Sequence, residues 1–177
     1  MIENIKMIFD FVGGYSPLIL FFISIKLLWH THNLLTYYTY GFFLDMIFNT
    51  IIKGIFKQPR PLEDPEIFKL ALKNNKRFMF KDGIPYDIFG MPSGHTQSVF
   101  YSTVFIYLSL KNVKILIGYI LLSLLTMYHR VFFEQHTVVQ VCVGVLPGTI
   151  FAIFMYYMAT QKIMGKICGK KDDNAPL

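Results

Sequence analysis

Three short groups of residues in this chain have types and spacings that could do chemistry. Lys53 is followed, after six intervening residues, by Arg60-Pro61. Pro92-Ser93-Gly94-His95 forms the second group, and Arg130, followed after five intervening residues by His136, forms the third. Together they offer three permanent cations, two imidazoles, a hydroxyl and the free backbone N–H groups of a helix start after Pro92. That inventory suits a tetrahedral oxyanion. Arginine forks grip two phosphate oxygens at once, a helix N-terminus adds donors and positive dipole, and Gly94 lets the backbone come close. Binding alone does not require two histidines. Phosphoryl transfer does require a nucleophile in line with the leaving oxygen and a proton donor for that oxygen, and imidazole can serve as either near neutral pH. The cations would then stabilise charge on the equatorial oxygens in the transition state.

The elements that must position these groups are apolar. Of the 177 residues, 54% are hydrophobic, 17% aromatic and only 16% charged, a balance rare in soluble domains. Apolar stretches run over about 8–29, 34–56, 94–110, 113–133 and 137–160, most of them near the ~20 residues that cross a bilayer as a helix. The first has no small-residue cleavage pattern after it and is expected to be retained. Pro147-Gly148 interrupts the fifth, which membrane helices tolerate. The second stretch ends, the third begins, the fourth ends and the fifth begins at the chemical groups. Alternating helices must therefore carry Lys53, Arg60, Ser93, His95, Arg130 and His136 to one membrane face. The expected architecture is an all-α polytopic bundle of about five transmembrane helices with a four-helix catalytic core. It is read as one domain over 1–177, with a polar tail over 165–177.

Residues 57–91 form the one long polar segment, in which Glu66–Lys76 reads as a short amphipathic helix for the interface. Asp45, Asn49 and Lys53 fall on one face of the second stretch and are expected to tie the bundle together by internal hydrogen bonds. His30 and His32 read as interfacial and Glu134 as solvated. Cys142 and Cys168 have neither disulfide nor zinc spacing. The formal charge of +6 is spread over the ends of apolar segments, as suits lipid headgroups and phosphate and not nucleic acid.

Read in order, Lys53…Arg60-Pro61, Pro92-Ser93-Gly94-His95 and His129-Arg130…His136…Gln140 resemble the three-part signature of the type 2 phosphatidic acid phosphatase family, which includes the vanadium haloperoxidases. The likeness spans about residues 34–160. It implies that His136 is the nucleophile forming a phosphohistidine, that His95 protonates the leaving group, and that Lys53, Arg60, Ser93, Gly94 and Arg130 hold the phosphate. Neither metal nor other cofactor is implied. Two positions depart from the pattern. His129 stands where the family usually has Ser, and Gln140 where an Asp usually orients the nucleophile. Gln140 can accept a hydrogen bond but brings no charge. The local strings Gly90-Met91-Pro92-Ser93…His95…Gln97 and His136-Thr137…Gln140-Val141 are similar to the dolichyldiphosphatase branch, in which Gln occupies that place.

The resemblance therefore implies an integral-membrane lipid phosphatase. Its substrate would be a polyprenyl or dolichyl diphosphate, or a phosphatidic acid, and its site would face the lumen or the outside. Lysines and arginines are balanced across the two faces, so the charge rule assigns no orientation. A non-catalytic phospholipid-binding scaffold of the same fold is the alternative; Gln140 and His129 favour it, and the retention of His95 and His136 opposes it. A transporter would call for paired broken helices or repeats, which are missing here.

Overall fold

The computed structural model describes residues 2–81 and 83–161. The tail over 165–177 and Cys168 lie outside them. The described residues form six α-helices and one hairpin: α1 (Ile2–Leu28), α2 (His32–Phe56), α3 (Pro65–Lys73), β1 (Phe78–Lys81), β2 (Ile84–Asp87), α4 (Gly94–Leu110), α5 (Val113–Phe132) and α6 (Val138–Thr160). The fold is mostly helical, with a small antiparallel ribbon that the all-α expectation omitted. The ribbon pairs Met79 with Tyr86 and Phe80 with Pro85. Its signal was available in the sequence, since Asp82-Gly83 between two short runs is a hairpin dipeptide, and Gly83 has φ 78°.

Helix boundaries follow from capping chemistry. Asp64 accepts the N–H groups of Glu66 and Ile67 and starts α3 beside Pro65, and Asn112 does the same for α5. Thr137 and Gln140 exchange bonds as a capping box at the start of α6. Lys57, in the left-handed region, ends α2 and donates to the Lys53 carbonyl.

The central element is α4. Its Thr96, Val99, Tyr101, Ser102, Phe105 and Ile106 are buried against α1, α2, α5 and α6. Two glycines bring α6 onto it. A Cβ at Gly144 would lie 2.8 Å from the Ser93 carbonyl oxygen, and one at Gly148 would run into the Gln97 backbone. Small residues at such positions let membrane helices meet backbone to backbone. Pro147 sits between them without ending the helix. Opposite, Gln97 locks α4 to α2. Its amide nitrogen donates to the Asp45 backbone carbonyl and side-chain oxygen, and its amide oxygen accepts from Asn49 at 2.8 Å. The Asp45/Asn49 face is thus satisfied internally, as buried polar groups require.

Among the described residues, three helices are long and apolar enough to cross a membrane: Lys6–Leu28, Val113–Phe132 and Val138–Thr160. Their outward faces expose large apolar side chains such as Phe22, Leu121 and Ile150. An apolar surface of that extent is not one that water covers willingly. Helix α2 is diluted by Asp45, Asn49 and Lys53, and α4 has only 17 residues.

The polar segment folds into a lobe over one end of the bundle. In α3, Phe68 and Ala71 pack on Ile88 and Phe89, while Ile67 and Leu70 stay exposed. The helix ends at Lys73, three residues earlier than the sequence suggested. Cross-links bind the lobe to the segment before α4: Gly90 N–H donates to the Gln58 carbonyl at 2.7 Å, and Pro59 bridges Phe89. His30 and His32 are exposed at the α1–α2 turn.

Candidate active site

The end of α2, the start of α4, the end of α5 and the start of α6 meet beneath this lobe. The five-residue spacing from Arg130 to His136 has a local cause. The Arg130 carbonyl accepts the backbone N–H groups of both Gln135 and His136, at 3.0 and 3.1 Å. Glu134 takes a left-handed φ of 51° and is exposed, so the chain turns tightly after α5. That turn places His136, 2% exposed, beside the helix end that carries Arg130.

Gln140 fixes the imidazole. Its amide nitrogen donates to the Pro59 carbonyl at 2.8 Å, and a carbonyl can only accept. Its amide oxygen must then be the atom that receives Thr137 N–H at 3.2 Å and His136 Nδ1 at 3.3 Å. Nδ1 therefore carries the hydrogen of the neutral ring, and Nε2 keeps its lone pair. The Gln140 backbone carbonyl also accepts Ser93 N–H at 3.0 Å. One residue thus touches all three sequence groups.

Burial pushes the His136 imidazolium down, and the charges of Arg60, Lys53 and Arg130 push it further. The Gln140 bond opposes them, and protonation falls from the ordinary 6.5 to about 3. Three cations thus act on one neutral ring. Between pH 6.5 and 3 the unfolded chain binds a proton that the folded chain refuses. The stability this group contributes is complete above 6.5 and is lost as pH falls toward 3.

The cations are held differently. Lys53 is 6% exposed and turns inward, with Nζ 3.5 Å from Asp87 Oδ2. Arg77 grips the same carboxylate with Nε and Nη2 at 3.1 and 2.8 Å, and Arg60 Nε donates to the Asp87 backbone carbonyl at 2.9 Å. Burial alone would raise the Asp87 carboxyl, but the Arg77 bonds and the Lys53 charge overcome it and hold it below its ordinary value. Asp87 is the residue that sequence reasoning missed, since nothing in a polar loop marks one acid among several until the hairpin aims it at Lys53. Arg130 is buried, at 9% exposure. Its Nε has no hydrogen-bond partner among the described residues, and none of their carboxylates forms a salt bridge with it.

Ser93 is fully buried and is the N-cap of α4, yet its hydroxyl caps no backbone N–H and instead receives Thr96 Oγ1 at 3.2 Å. The first N–H groups of α4, from Gly94 onward, are left free of side-chain capping. His95, half-buried, places Nε2 3.1 Å from the Gly14 carbonyl of α1. It borders a cavity of about 500 Å3 between α1, α2 and α4, with Lys53 and Asp87 at the polar end and Leu18, Phe42 and Met46 along the walls. His129 is buried and pairs with Asp10 Oδ1 at 2.9 Å. Cys142 is exposed and free.

Residues 34–164 match the profile described as the PAP2 superfamily. A curated relative, the dolichyldiphosphatase of Saccharomyces cerevisiae, is 31% identical to the chain over 129 residues, which cover 67% of the chain and 49% of the relative. The chain thus spans about half the length of that relative. No solved structure matches.

Proposed function

The chain belongs to the PAP2 superfamily, and from that premise we propose that it is a multi-pass membrane lipid phosphatase working through a phosphohistidine. The observation that carries this is electrostatic. A neutral imidazole with a bare Nε2 stands among Lys53, Arg60 and Arg130, and Arg130 Nε lacks a protein partner among the described residues. Buried positive charge without compensation is costly, and a bound phosphate is the group whose shape and charge would relieve it.

His136 Nε2 attacks phosphorus, and the bond from phosphorus to the leaving oxygen breaks with its electron pair on that oxygen. His95, protonated in the complex with the anionic substrate, gives that oxygen its proton. A water then attacks the phosphohistidine, neutral His95 accepts the water's proton, and phosphate leaves with His136 regenerated. Lys53, Arg60, Arg130, Ser93 and the Gly94 backbone hold the equatorial oxygens. These steps call on no metal. The five long helices are read as the spans, with α4 enclosed by the others and α2 presenting Phe43, Ile47, Ile51 and Ile55 outward, and the site faces the lumen or the outside.

A polyprenyl diphosphate is the favoured substrate, with phosphatidic acid second. The name of the yeast relative supports the first, and the apolar walls of the α1/α2/α4 cavity suit the chain of either. The deciding experiment is phosphate release from both lipids by the detergent-purified chain in EDTA. Release that persists under chelation and prefers the diphosphate is the expected result. Absence of release from both lipids by folded protein would favour the phospholipid-binding scaffold.

A titration tests the proposed nucleophile's state. In 15N-histidine-labelled protein, the His136 ring is expected to stay neutral at pH 5. Gln140→Glu keeps the reach and sets a charge against Nδ1, so the midpoint should rise by about one pH unit or more. A wild-type midpoint near 6.5 would contradict the site's electrostatics.

A further inference from the structure

Helix α1 precedes the residues that match the PAP2 profile, yet it touches two histidines of the site. Asp10, Gly13 and Gly14 lie within four residues of one another and so share a face of the helix. Asp10 Oδ1 meets His129 Nε2 at 2.9 Å. Gly13 lies against the same ring, so closely that an added Cβ would be 2.5 Å from Cδ2 and Cγ. Gly14 accepts His95 Nε2 at 3.1 Å. A Cβ on Gly14 would come no nearer than 3.8 Å to His129, so the steric demand for glycine is at Gly13. Phe9 adds a ring contact to His129 at 5.3 Å.

We infer that α1 is a positioning element of the active site, seated by the fit of Gly13 against His129 so that the Gly14 carbonyl holds His95 in place to protonate the leaving oxygen. This rests on the phosphatase proposal above. The logic is mechanical. A carbonyl only accepts, so Nε2 carries a hydrogen toward Gly14 and the ring plane is held by α1. The distance from Gly14 to His95 is set by how near α1 lies to α5, and that approach is set at Gly13. His129, standing where Ser is usual, supplies the bulk against which the glycine fits. His129 and Gly13 therefore form one fitted pair, and general-acid efficiency depends on it through position and not through charge.

The test uses leaving groups. An alkyl phosphate must have its departing oxygen protonated, whereas p-nitrophenolate leaves without help. In full-length protein, Gly13→Ala is expected to lower kcat on phosphatidic acid by roughly tenfold to a hundredfold, a share of the usual general-acid contribution. On p-nitrophenyl phosphate it should lower kcat by less than about threefold. Adding His129→Ser removes the ring that the new methyl meets, and should return phosphatidic acid turnover to that of His129→Ser alone. Asp10→Ala, at an exposed side chain, loosens the same seat without adding volume and should give a smaller loss with the same substrate selectivity. Equal losses on both substrates, no loss, or no rescue in the double variant would each overturn the inference. A wild-type chain inactive on both substrates would overturn this inference, and one inactive on polyprenyl diphosphate as well would overturn the phosphatase proposal.

Discussion

His136→Ala is expected to lower phosphate release from a lipid phosphate by about 10⁴-fold or more, the scale seen when a covalent nucleophile is removed. The cause lies in what remains. Lys53, Arg60 and Arg130 would still gather a phosphate, but no atom would occupy the place of Nε2, and a water there lacks a base with the same reach. Gln140 would lose one partner and keep its bonds to Pro59 and Thr137, so the site should stay folded. Brief incubation with radiolabelled lipid phosphate, followed by quenching in base, should trap label on the wild type and none on the variant, because phosphohistidine survives base and is lost in acid. Label on both proteins would remove His136 from the chemistry.

Arg130→Met should cost about 10²–10³ in kcat/KM, the usual effect of removing one preorganised group from a developing oxyanion. Arg130→Lys should recover part of this, since it restores the charge without the fork. The opposite sign is expected for stability. Arg130 is buried with Nε unpaired among the described residues, and replacing such a charge by an apolar side chain is commonly neutral or stabilising. The thermal midpoint of substrate-free Arg130→Met should therefore match or exceed that of the wild type. A variant that loses stability along with activity would make Arg130 a structural residue.

Much of this site was legible because its groups sit at helix ends. A cation closing one apolar run and a histidine opening the next must share a face whatever the loop does, and so Lys53, His95, Arg130 and His136 could be placed together without coordinates. The hydrogen bonding of the Asp45/Asn49 face was legible too, from four-residue spacing in an apolar helix. What stayed hidden depends on contacts between distant segments. Asp87 acquires its partners only when the 78–87 hairpin folds back on α2. The orientation of the Gln140 amide is decided by a carbonyl 81 residues away. The contact of α1 with the histidines depends on Gly13, a residue whose meaning is what it leaves out.

The tie from Gln140 to Pro59 bears on how such sites can change over generations. An acid at position 140 would hold the imidazole and could supply charge, but an ionised acid could not donate to the Pro59 carbonyl, and the segment that leads into Arg60 would lose one of its ties. Moving between amide and acid therefore leaves the Pro59 carbonyl without this donor unless residues near 58–60 alter with it. The two kinds of site therefore differ in a pair of contacts and not in one side chain alone.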